Sequence, residues 1–207
     1  MNEHQVRNVS LGGIITSIPV TIAKGQVLQK GAVLSQVKEA GTPAAGAENT
    51  GNGTVGSVTL GPKAKVGTYL LVVNKATGGG DFNVISPAGH SCGVAVTGKD
   101  FVSGEINLKL TAGDAAFVLG DRFTIEVTGT GSYALVSKDA EDGSGTAEAV
   151  LMLDVDASEA AKESKAWTSG LFDAALLSAA EAESIDAYRE ELRMRGIILV
   201  NTVGGNY

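Results

Sequence analysis

The fold is decided by the segment Ile18-Pro-Val-Thr-Ile-Ala-Lys-Gly-Gln-Val-Leu-Gln-Lys-Gly-Ala-Val-Leu-Ser-Gln-Val37. Two Lys-Gly pairs, Lys24-Gly25 and Lys30-Gly31, interrupt its apolar residues. Glycine permits the backbone conformations that tight turns need, and short apolar runs between such turns are typical of strands. The segment therefore predicts successive short strands joined by turns.

A second pattern closes the chain. The apolar run 150–156 is followed by Lys165-Ala-Trp-Thr-Ser-Gly-Leu-Phe172, a short acidic connection, a helix-like segment and the strand-like run 197–203. The run 165–172 contains the pattern S-G-x-F at Ser169, Gly170 and Phe172. The opening segment contains the pattern G-x-x-L-x-x-G-x-V-L at Gly25, Leu28, Gly31, Val33 and Leu34.

These two patterns together resemble the lambda-type head decoration proteins of tailed phages, over residues 14–40 and 130–203. The part between them looks like an insertion that only longer members of the family carry. The resemblance implies a mainly β protein, with a small mixed-β body and one C-terminal helix, split by an inserted module. We expect an N-terminal arm (1–17), a discontinuous body (18–48 and 130–207) and an inserted module (49–129).

The resemblance also implies a function and partners. Members of this family associate as trimers on the outside of the expanded capsid, where they clamp neighbouring major capsid protein subunits and stabilise the head. We therefore expect a virion structural protein on the outer capsid surface, made in the host cytoplasm. Its expected partners are the major capsid protein and its own copies, with neither nucleic acid nor membrane among them.

Composition limits the classes of protein. The chain has 207 residues with 28 glycines, 4 prolines and 43% hydrophobic residues, which favours many short strands over disorder. Cys92 is the one cysteine, so no internal disulfide is expected. We expect neither a signal peptide nor a membrane span, because no run has the required length and apolar character.

The charge is unevenly distributed. The net charge is −7, and residues 138–195 contain fourteen acidic and six basic side chains. A net-negative chain without a basic stripe is a poor candidate for nucleic-acid binding. The acidic region is interpreted as a solvated outer face.

The expected inserted module has its own strand pattern. Residues 40–53 and 128–131 are small, turn-forming residues and are interpreted as linkers. Between them, seven short strands are predicted at 54–60, 68–74, 82–86, 92–97, 105–110, 117–118 and 122–128. In the fifth strand, Ile106, Leu108 and Leu110 are predicted to form a buried face. The alternating residues Glu105, Asn107 and Lys109 are predicted to form a solvent-exposed face. Such a series is typical of a β-sandwich.

After residue 132 the body resumes, with strands predicted at 133–136, 147–155 and 165–172. Ser178 and Glu181 have the spacing of a capping box. Apolar residues then recur at helical spacing, and Glu191 and Arg195 are expected to pair one turn apart, with Gly196 ending the helix. The apolar positions are Ile185, Tyr188 and Leu192.

Several motifs suggest chemistry but lack its context. Gly51, Gly53 and Gly56 satisfy G-x-G-x-x-G, yet a strand rather than a helix is predicted to follow, which argues against a dinucleotide site. The acidic loop fails the alternation of a calcium loop and is interpreted as a solvated turn. Its members are Asp139, Glu141, Asp142 and Glu148.

His90 and Cys92 are the remaining chemical candidates. They offer two possible ligands, whereas zinc needs three or four, and a nucleophilic role for Cys92 lacks a group to orient His90. We interpret them as a buried or edge-strand cysteine beside a turn histidine. The prediction is no enzyme, no cofactor and no metal.

The candidate contact residues are apolar. The arm presents possible capsid contacts at Val6, Val9, Leu11, Ile14 and Ile15, although a frayed tail without a role is equally compatible with its composition. Trp167 and Phe172 are candidates for either the trimer interface or the core. The alternative function is a β-sandwich module that binds a cell-surface or glycan ligand on a small carrier domain.

Overall fold

The computed structural model describes residues 9–201. The described chain is mainly β with a single short α-helix near its C-terminus, as expected from the sequence. It divides into two compact units. We call residues 1–37, 131–138 and 144–207 the body, and residues 38–130 and 139–143 the insert. The insert thus begins at residue 38, inside a strand, rather than at residue 49.

The strands and the helix follow one another in this order. The first eight strands are β1 (Ser10–Ile22), β2 (Gln26–Leu28), β3 (Val33–Ala40), β4 (Ala44–Ala45), β5 (Thr54–Val55), β6 (Thr59–Leu60), β7 (Gly67–Lys75) and β8 (Asp81–Ile85). The next seven are β9 (Ser91–Val96), β10 (Asp100–Phe101), β11 (Ile106–Thr111), β12 (Arg122–Leu135), β13 (Ala149–Leu151), β14 (Val155–Ala157) and β15 (Lys162–Asp173). The helix α1 (Arg189–Met194) and the strand β16 (Ile197–Val200) complete the described chain.

Five strands of the body form a closed ring. β1 pairs antiparallel with β15, β15 with β13, and β13 with β3. β3 pairs with β12, and the parallel pairing of Thr21 and Ile22 with Ser132 and Tyr133 joins β12 back to β1. β16 adds to β15 in parallel, and β2 pairs with β14. Closure of this kind removes most of the sheet edges that a small sheet would otherwise expose.

Two groups of core residues lie on opposite faces of the ring strands. All three residues of β13 are buried: Ala149 and Leu151 contribute to one group and Val150 to the other. Because neighbouring side chains of a strand point to opposite faces, a strand buried on both sides reads as an uninterrupted apolar run. The second group also contains Tyr188 and Leu192 from the C-terminal helical segment.

The helical segment differs in detail from the sequence expectation. A 3-10 helix (Ile185–Tyr188) precedes α1, and the Ser184 hydroxyl caps it by accepting a hydrogen bond from the Asp186 N–H. Ser178 instead forms a bridge with Ala32, so the predicted capping box is wrong. Gly196 has a φ of 83° just after the helix and ends it as predicted.

The predicted pair between Glu191 and Arg195 is also wrong. The Lys138 ammonium lies 2.6 Å from Glu191 Oε1, and the Arg195 guanidinium lies 3.4 Å from Glu148. Both basic groups therefore pair with residues distant in sequence. The helical spacing alone could not reveal these tertiary partners.

The insert consists of two sheets that share one core. One sheet contains β7, β8, β9 and the first half of β12, and the other contains β10, β11, β5 and β6. Buried side chains alternate along β7, β8, β11 and β12, so each strand turns one face towards the shared core. Phe82, Phe117 and Phe123 meet there, with Phe82 and Phe117 edge to face at 4.9 Å. This arrangement is a β-sandwich.

The segments interpreted as linkers are ordered parts of the fold. Within 40–53, the N–H groups of Thr50 and Gly51 donate to the Asp121 carboxylate at 2.9 and 2.8 Å. Residues 128–131 lie inside β12, which runs without a break from the insert into the body. Phe117, predicted to be in a strand, lies in a loop that covers the insert core. Small residues in 40–53 serve close packing rather than flexibility.

Candidate functional site

The N-terminal strand presents an apolar surface. Ile14 is 87% exposed, and three further large apolar side chains of β1 are exposed with it: Leu11, Ile15 and Ile18. One edge of β1 pairs with β15 along its length. Among the described residues, its opposite edge pairs only at Thr21 and Ile22. We call Leu11, Ile14, Ile15 and Ile18 the β1 surface.

A bulge holds Ile14 outwards. Gly12 pairs with Leu171 and Thr16 with Ser169, so residues 13–15 of β1 lie opposite the single residue Gly170. The Ser169 hydroxyl donates to the Ile14 carbonyl at 2.8 Å and accepts from the Thr16 N–H at 3.1 Å. A bulge turns side chains away from the regular alternation of a strand. The bulge is therefore stabilised by its own hydrogen bonds.

The S-G-x-F pattern has a structural explanation at this bulge. Ser169 supplies the bridging hydroxyl, and Gly170 has a φ of 139°. A Cβ atom at Gly170 would lie 3.1 Å from the Phe172 ring and 3.4 Å from Ile15 Cγ1. Phe172 is fully buried. Ser169 thus fixes the bulge, and Gly170 permits the close approach of Phe172 and Ile15. Phe172 anchors β15 in the core.

The described part of the predicted arm (1–17) is paired within the body and is not a frayed tail. Val9 is buried in the core group that contains Trp167 and Phe172, and its carbonyl accepts from the Asp173 N–H at 3.3 Å. Residues 10–17 pair with β15. Val6 lies outside the described residues.

Trp167 and Phe172, predicted for either an interface or the core, lie in the core. Their ring centroids are 5.5 Å apart. The Lys30 ammonium lies 5.8 Å from the centroid of the Trp167 ring, a cation–π arrangement near the protein surface.

A cavity of about 570 Å³ lies at the C-terminal end of β1. Pro19, Thr21, Tyr133 and Leu153 contribute to its walls, and Lys165 lies beside them. Burial, reinforced by Glu148, raises the pKa of Tyr133. The sequence contained no signal for this cavity, because β1, β12 and β15 contribute to it jointly.

The insert contains a separate polar cluster around Glu105. His90 Nε2 lies 2.9 Å from Glu105 Oε1, and Ser86 Oγ lies 3.0 Å from His90 Nδ1. The Tyr69 hydroxyl donates to Glu105 Oε2 at 2.8 Å. The ligand atoms of His90, Cys92 and Glu105 all lie within 4.8 Å of one another. We call these three residues the His90 cluster.

The position of Glu105 in this cluster was not apparent from the sequence. Strand alternation predicted that Glu105 lies on a solvent-exposed face, yet only 13% of its side chain is exposed. Glu105 precedes β11 rather than lying within it, so its side chain does not follow the alternation of that strand. The hydroxyl of Tyr69 and the ring of His90 hold it inwards. Tyr69 lies in β7 and His90 in the turn before β9, so only the tertiary structure could reveal that they contact Glu105.

The Cys92 thiol is not prepared for nucleophilic attack. Burial, reinforced by the Glu105 carboxylate, raises the pKa of Cys92 to about 11. The thiolate is the nucleophilic form, so a raised pKa makes the free side chain inert near neutral pH. His90 and Glu105 have the residue types of a catalytic relay, but the Glu105 carboxylate adds to the rise in the Cys92 pKa.

Two other sequence motifs have structural functions. A Cβ atom at Gly51 or Gly53 would lie 2.4 Å from the Phe117 ring, so both glycines are required by packing. In the acidic loop, the Lys38 ammonium donates to the Gly143 carbonyl at 2.8 Å. Neither motif presents the geometry of a ligand site.

Comparisons with known proteins add little. No protein-family model and no curated protein matches the chain. Two crystal structures of Xanthomonas campestris FlgL resemble part of it. One has 19% identity and a TM-score of 0.33 over 50% of this chain and 33% of FlgL, and the other has 16% and 0.34 over 47% and 31%. The chain therefore spans about a third of FlgL, and the similarity is too low to support a functional argument.

No helix in the described part of the chain is long and apolar enough to span a membrane.

Proposed function

We propose that this chain is a viral structural protein that binds the exterior of an expanded phage capsid as a trimer and stabilises the head. The resemblance of residues 14–40 and 130–203 to head decoration proteins supports the proposal. The observation that carries it is the β1 surface, in which a bulge presents Ile14 at 87% exposure beside a strand edge that, within residues 9–201, pairs only at Thr21 and Ile22.

An exposed apolar strand edge favours association. It offers free backbone N–H and C=O groups together with apolar side chains, and natural proteins usually cover or charge such edges. Along β1, the exposed side chains of Leu11, Ile14, Ile15 and Ile18 carry no charge. A partner that adds a strand or an apolar surface here would bury them. The major capsid protein is the proposed partner.

The body is suited to present this surface firmly. The bulge is fixed by Ser169, and Val9, which precedes β1, is buried in the same core group as Phe172 of β15. A contact surface that is already ordered avoids the entropic penalty of ordering on binding. Residues 9–17 would therefore engage the capsid as part of the body.

Trimeric assembly would multiply modest contacts. Three copies around one axis match a local three-fold axis of a capsid, and linked contacts strengthen one another through effective concentration. A protein that binds only the assembled lattice stabilises that lattice by mass action. The proposed function therefore needs no catalytic group.

The test is binding of purified protein to expanded, undecorated heads. Ile14→Glu should weaken binding at least about tenfold, because a charge would enter an apolar contact. Val27→Glu is the matched control, since Val27 is another exposed body residue, at 67%. It should bind normally. Decorated heads should retain DNA to a higher temperature than bare heads.

Two results would contradict the proposal. Equal binding by the Ile14→Glu and wild-type proteins would exclude the β1 surface as the contact. A protein that is monomeric both free and on heads, and that leaves head stability unchanged at saturation, would exclude the decoration function itself.

A further inference from the structure

We propose that the His90 cluster is a binding site for a zinc-class divalent transition-metal ion, held by His90 Nε2, Cys92 Sγ and Glu105 Oε1. Water would complete the coordination. The inference concerns the insert alone and is independent of capsid binding.

The fold brings the three ligands together from separate segments. His90 ends the turn between β8 and β9, Cys92 lies two residues further in β9, and Glu105 precedes β11. Their ligand atoms lie within 4.8 Å of one another. Zinc bonds of about 2.0–2.3 Å place neighbouring ligand atoms roughly 3.3–3.8 Å apart in a tetrahedron. Small side-chain rotations therefore suffice to close the site.

Buried partners already orient two of the ligands. Ser86 Oγ, 3.0 Å from His90 Nδ1, can accept a hydrogen bond from Nδ1–H, which leaves the Nε2 lone pair for a metal. The Tyr69 hydroxyl donates to Glu105 Oε2, which leaves Oε1 towards His90. Ser86 and Tyr69 are both buried. Outer partners of this kind fix ligand orientation and strengthen metal binding.

The loop before β11 holds Glu105 in place. The Ser103 hydroxyl accepts from the N–H groups of Glu105 and Ile106 at 3.2 and 2.9 Å, and it donates to the Ile106 carbonyl. Such a closed loop leaves the Glu105 backbone little freedom. The carboxylate is therefore presented before any ion arrives.

The site is accessible and already attracts a cation. The His90 side chain is 47% exposed, so an ion can approach from that side. The Lys65 ammonium lies 3.5 Å from Glu105 Oε1 and is the present cationic partner. Its side chain reaches solvent and can move away. Lys65 is consequently a competitor, whose removal should strengthen metal binding.

The ligand types select the metal. Thiolate and imidazole favour zinc and related transition ions, whereas magnesium and calcium prefer oxygen ligands. A set of one sulfur, one nitrogen and one oxygen atom is therefore suited to zinc. In the sequence, His90 and Cys92 provide only two neighbouring ligands, and the third, Glu105, is brought to them by the fold.

The test titrates the full-length reduced protein with Co²⁺ and then displaces it with Zn²⁺. A bound Co²⁺ should produce a thiolate-to-cobalt charge-transfer band, and stoichiometric Zn²⁺ should abolish it. Cys92→Ser should lose the band, and His90→Ala and Glu105→Asp should weaken Zn²⁺ binding at least about tenfold. Ser86→Ala should weaken it by about 10–100-fold. His4→Ala, which changes the other histidine, should bind normally.

Lys65→Met keeps the proposal testable even if a ligand variant unfolds. It should bind Zn²⁺ more tightly than the wild type, an effect that misfolding would not produce. Absence of the charge-transfer band in the wild type, or unchanged Zn²⁺ affinity in Cys92→Ser or His90→Ala, would overturn the site. Unchanged affinity in Lys65→Met would overturn the coordination through Glu105 Oε1.

Discussion

The Ser169 hydroxyl donates a hydrogen bond of 2.8 Å to the Ile14 carbonyl across 155 residues of sequence. The same hydroxyl accepts from the Thr16 N–H at 3.1 Å. One side chain therefore bridges both ends of the bulge that exposes Ile14. Ser169 links the motif at the end of the chain to the proposed contact surface at its beginning.

Removing this bridge should weaken the bulge and the body. We expect Ser169→Ala to lower the free energy of unfolding by about 1–2 kcal/mol, because it deletes hydrogen bonds of the β1 backbone. Urea denaturation measures the change. Ser158→Ala is the matched control, since that hydroxyl donates only within a surface turn to Asp156. An equal effect of both substitutions would contradict a special function of Ser169.

Gly170 should not tolerate a side chain. Its φ is 139°, and a Cβ atom added there would lie 3.1 Å from the Phe172 ring, so Gly170→Ala should destabilise the body by about 1–3 kcal/mol. Gly131→Ala is the control for backbone strain alone, because Gly131 has a φ of 79° and open space around it. Thermal unfolding of both variants separates the two effects. If they lose equal stability, contact with Phe172 is unimportant.

Val9 should contribute to stability, unlike its exposed neighbour. Val9→Ala should destabilise the body by about 1–3 kcal/mol, because it removes buried methyl groups from the core beside Trp167. Leu11→Ala, at an exposed position of β1 two residues further along the chain, should change stability by less than about 0.5 kcal/mol. If chemical denaturation shows that neither substitution changes the free energy of unfolding, the interpretation of residues 9–11 as part of a frayed tail would be restored.

Asp121 should make the insert sensitive to acid. Burial acts to raise its pKa, but hydrogen bonds from the N–H groups of Thr50, Gly51 and Val118 outweigh it and hold the pKa below its usual value. A depressed folded pKa means that the stabilisation is present above the unfolded pKa, about 3.9, and is lost as the pH falls through the folded pKa. We therefore expect stability to fall below about pH 4.

Asp121→Asn should lower stability at pH 7 and reduce this acid dependence. Urea denaturation between pH 2 and pH 7 provides the comparison. Asp100→Asn is the control, because that carboxylate is 77% exposed and its ion pair with Lys109 lies on the surface. An unaltered acid transition in Asp121→Asn would assign the acid sensitivity to other groups.

The body should bind capsids without the insert. β3 and β12 are paired, so replacing residues 38–130 by an Asn-Gly turn should join them as a hairpin. We expect the shortened protein to fold and to bind undecorated heads within about tenfold of the wild type. A folded but non-binding protein would favour the alternative, in which the β-sandwich is the binding module.

Local sequence patterns predicted much of the secondary structure. The strand of residues 105–110 was close to β11, and Tyr188, Leu192 and Gly196 correctly indicated the buried face and the end of the C-terminal helix. These features depend on alternation, helical spacing and glycine conformation within a few residues. The cap at Ser184 and the partners of Glu191 were missed, because they depend on where the segment docks.

Segments rich in small residues were the main source of error. Residues 40–53 were interpreted as a linker, but Gly51 and Gly53 are small because the Phe117 ring lies against them. Residues 128–131 were interpreted in the same way, yet β12 continues through them. Composition cannot distinguish a flexible glycine from one that permits close packing, since both lack a side chain.

The sequence by itself determined a mainly β chain, the positions of most turns, and which faces of its strands are apolar. Only the tertiary structure decided that β1 and β12 close a ring, that Ile14 stands outside it, and that Glu105 meets His90 and Cys92. The physical reason is strand register. Local patterns set the face to which a side chain points, but pairing between distant strands sets which side chains it meets.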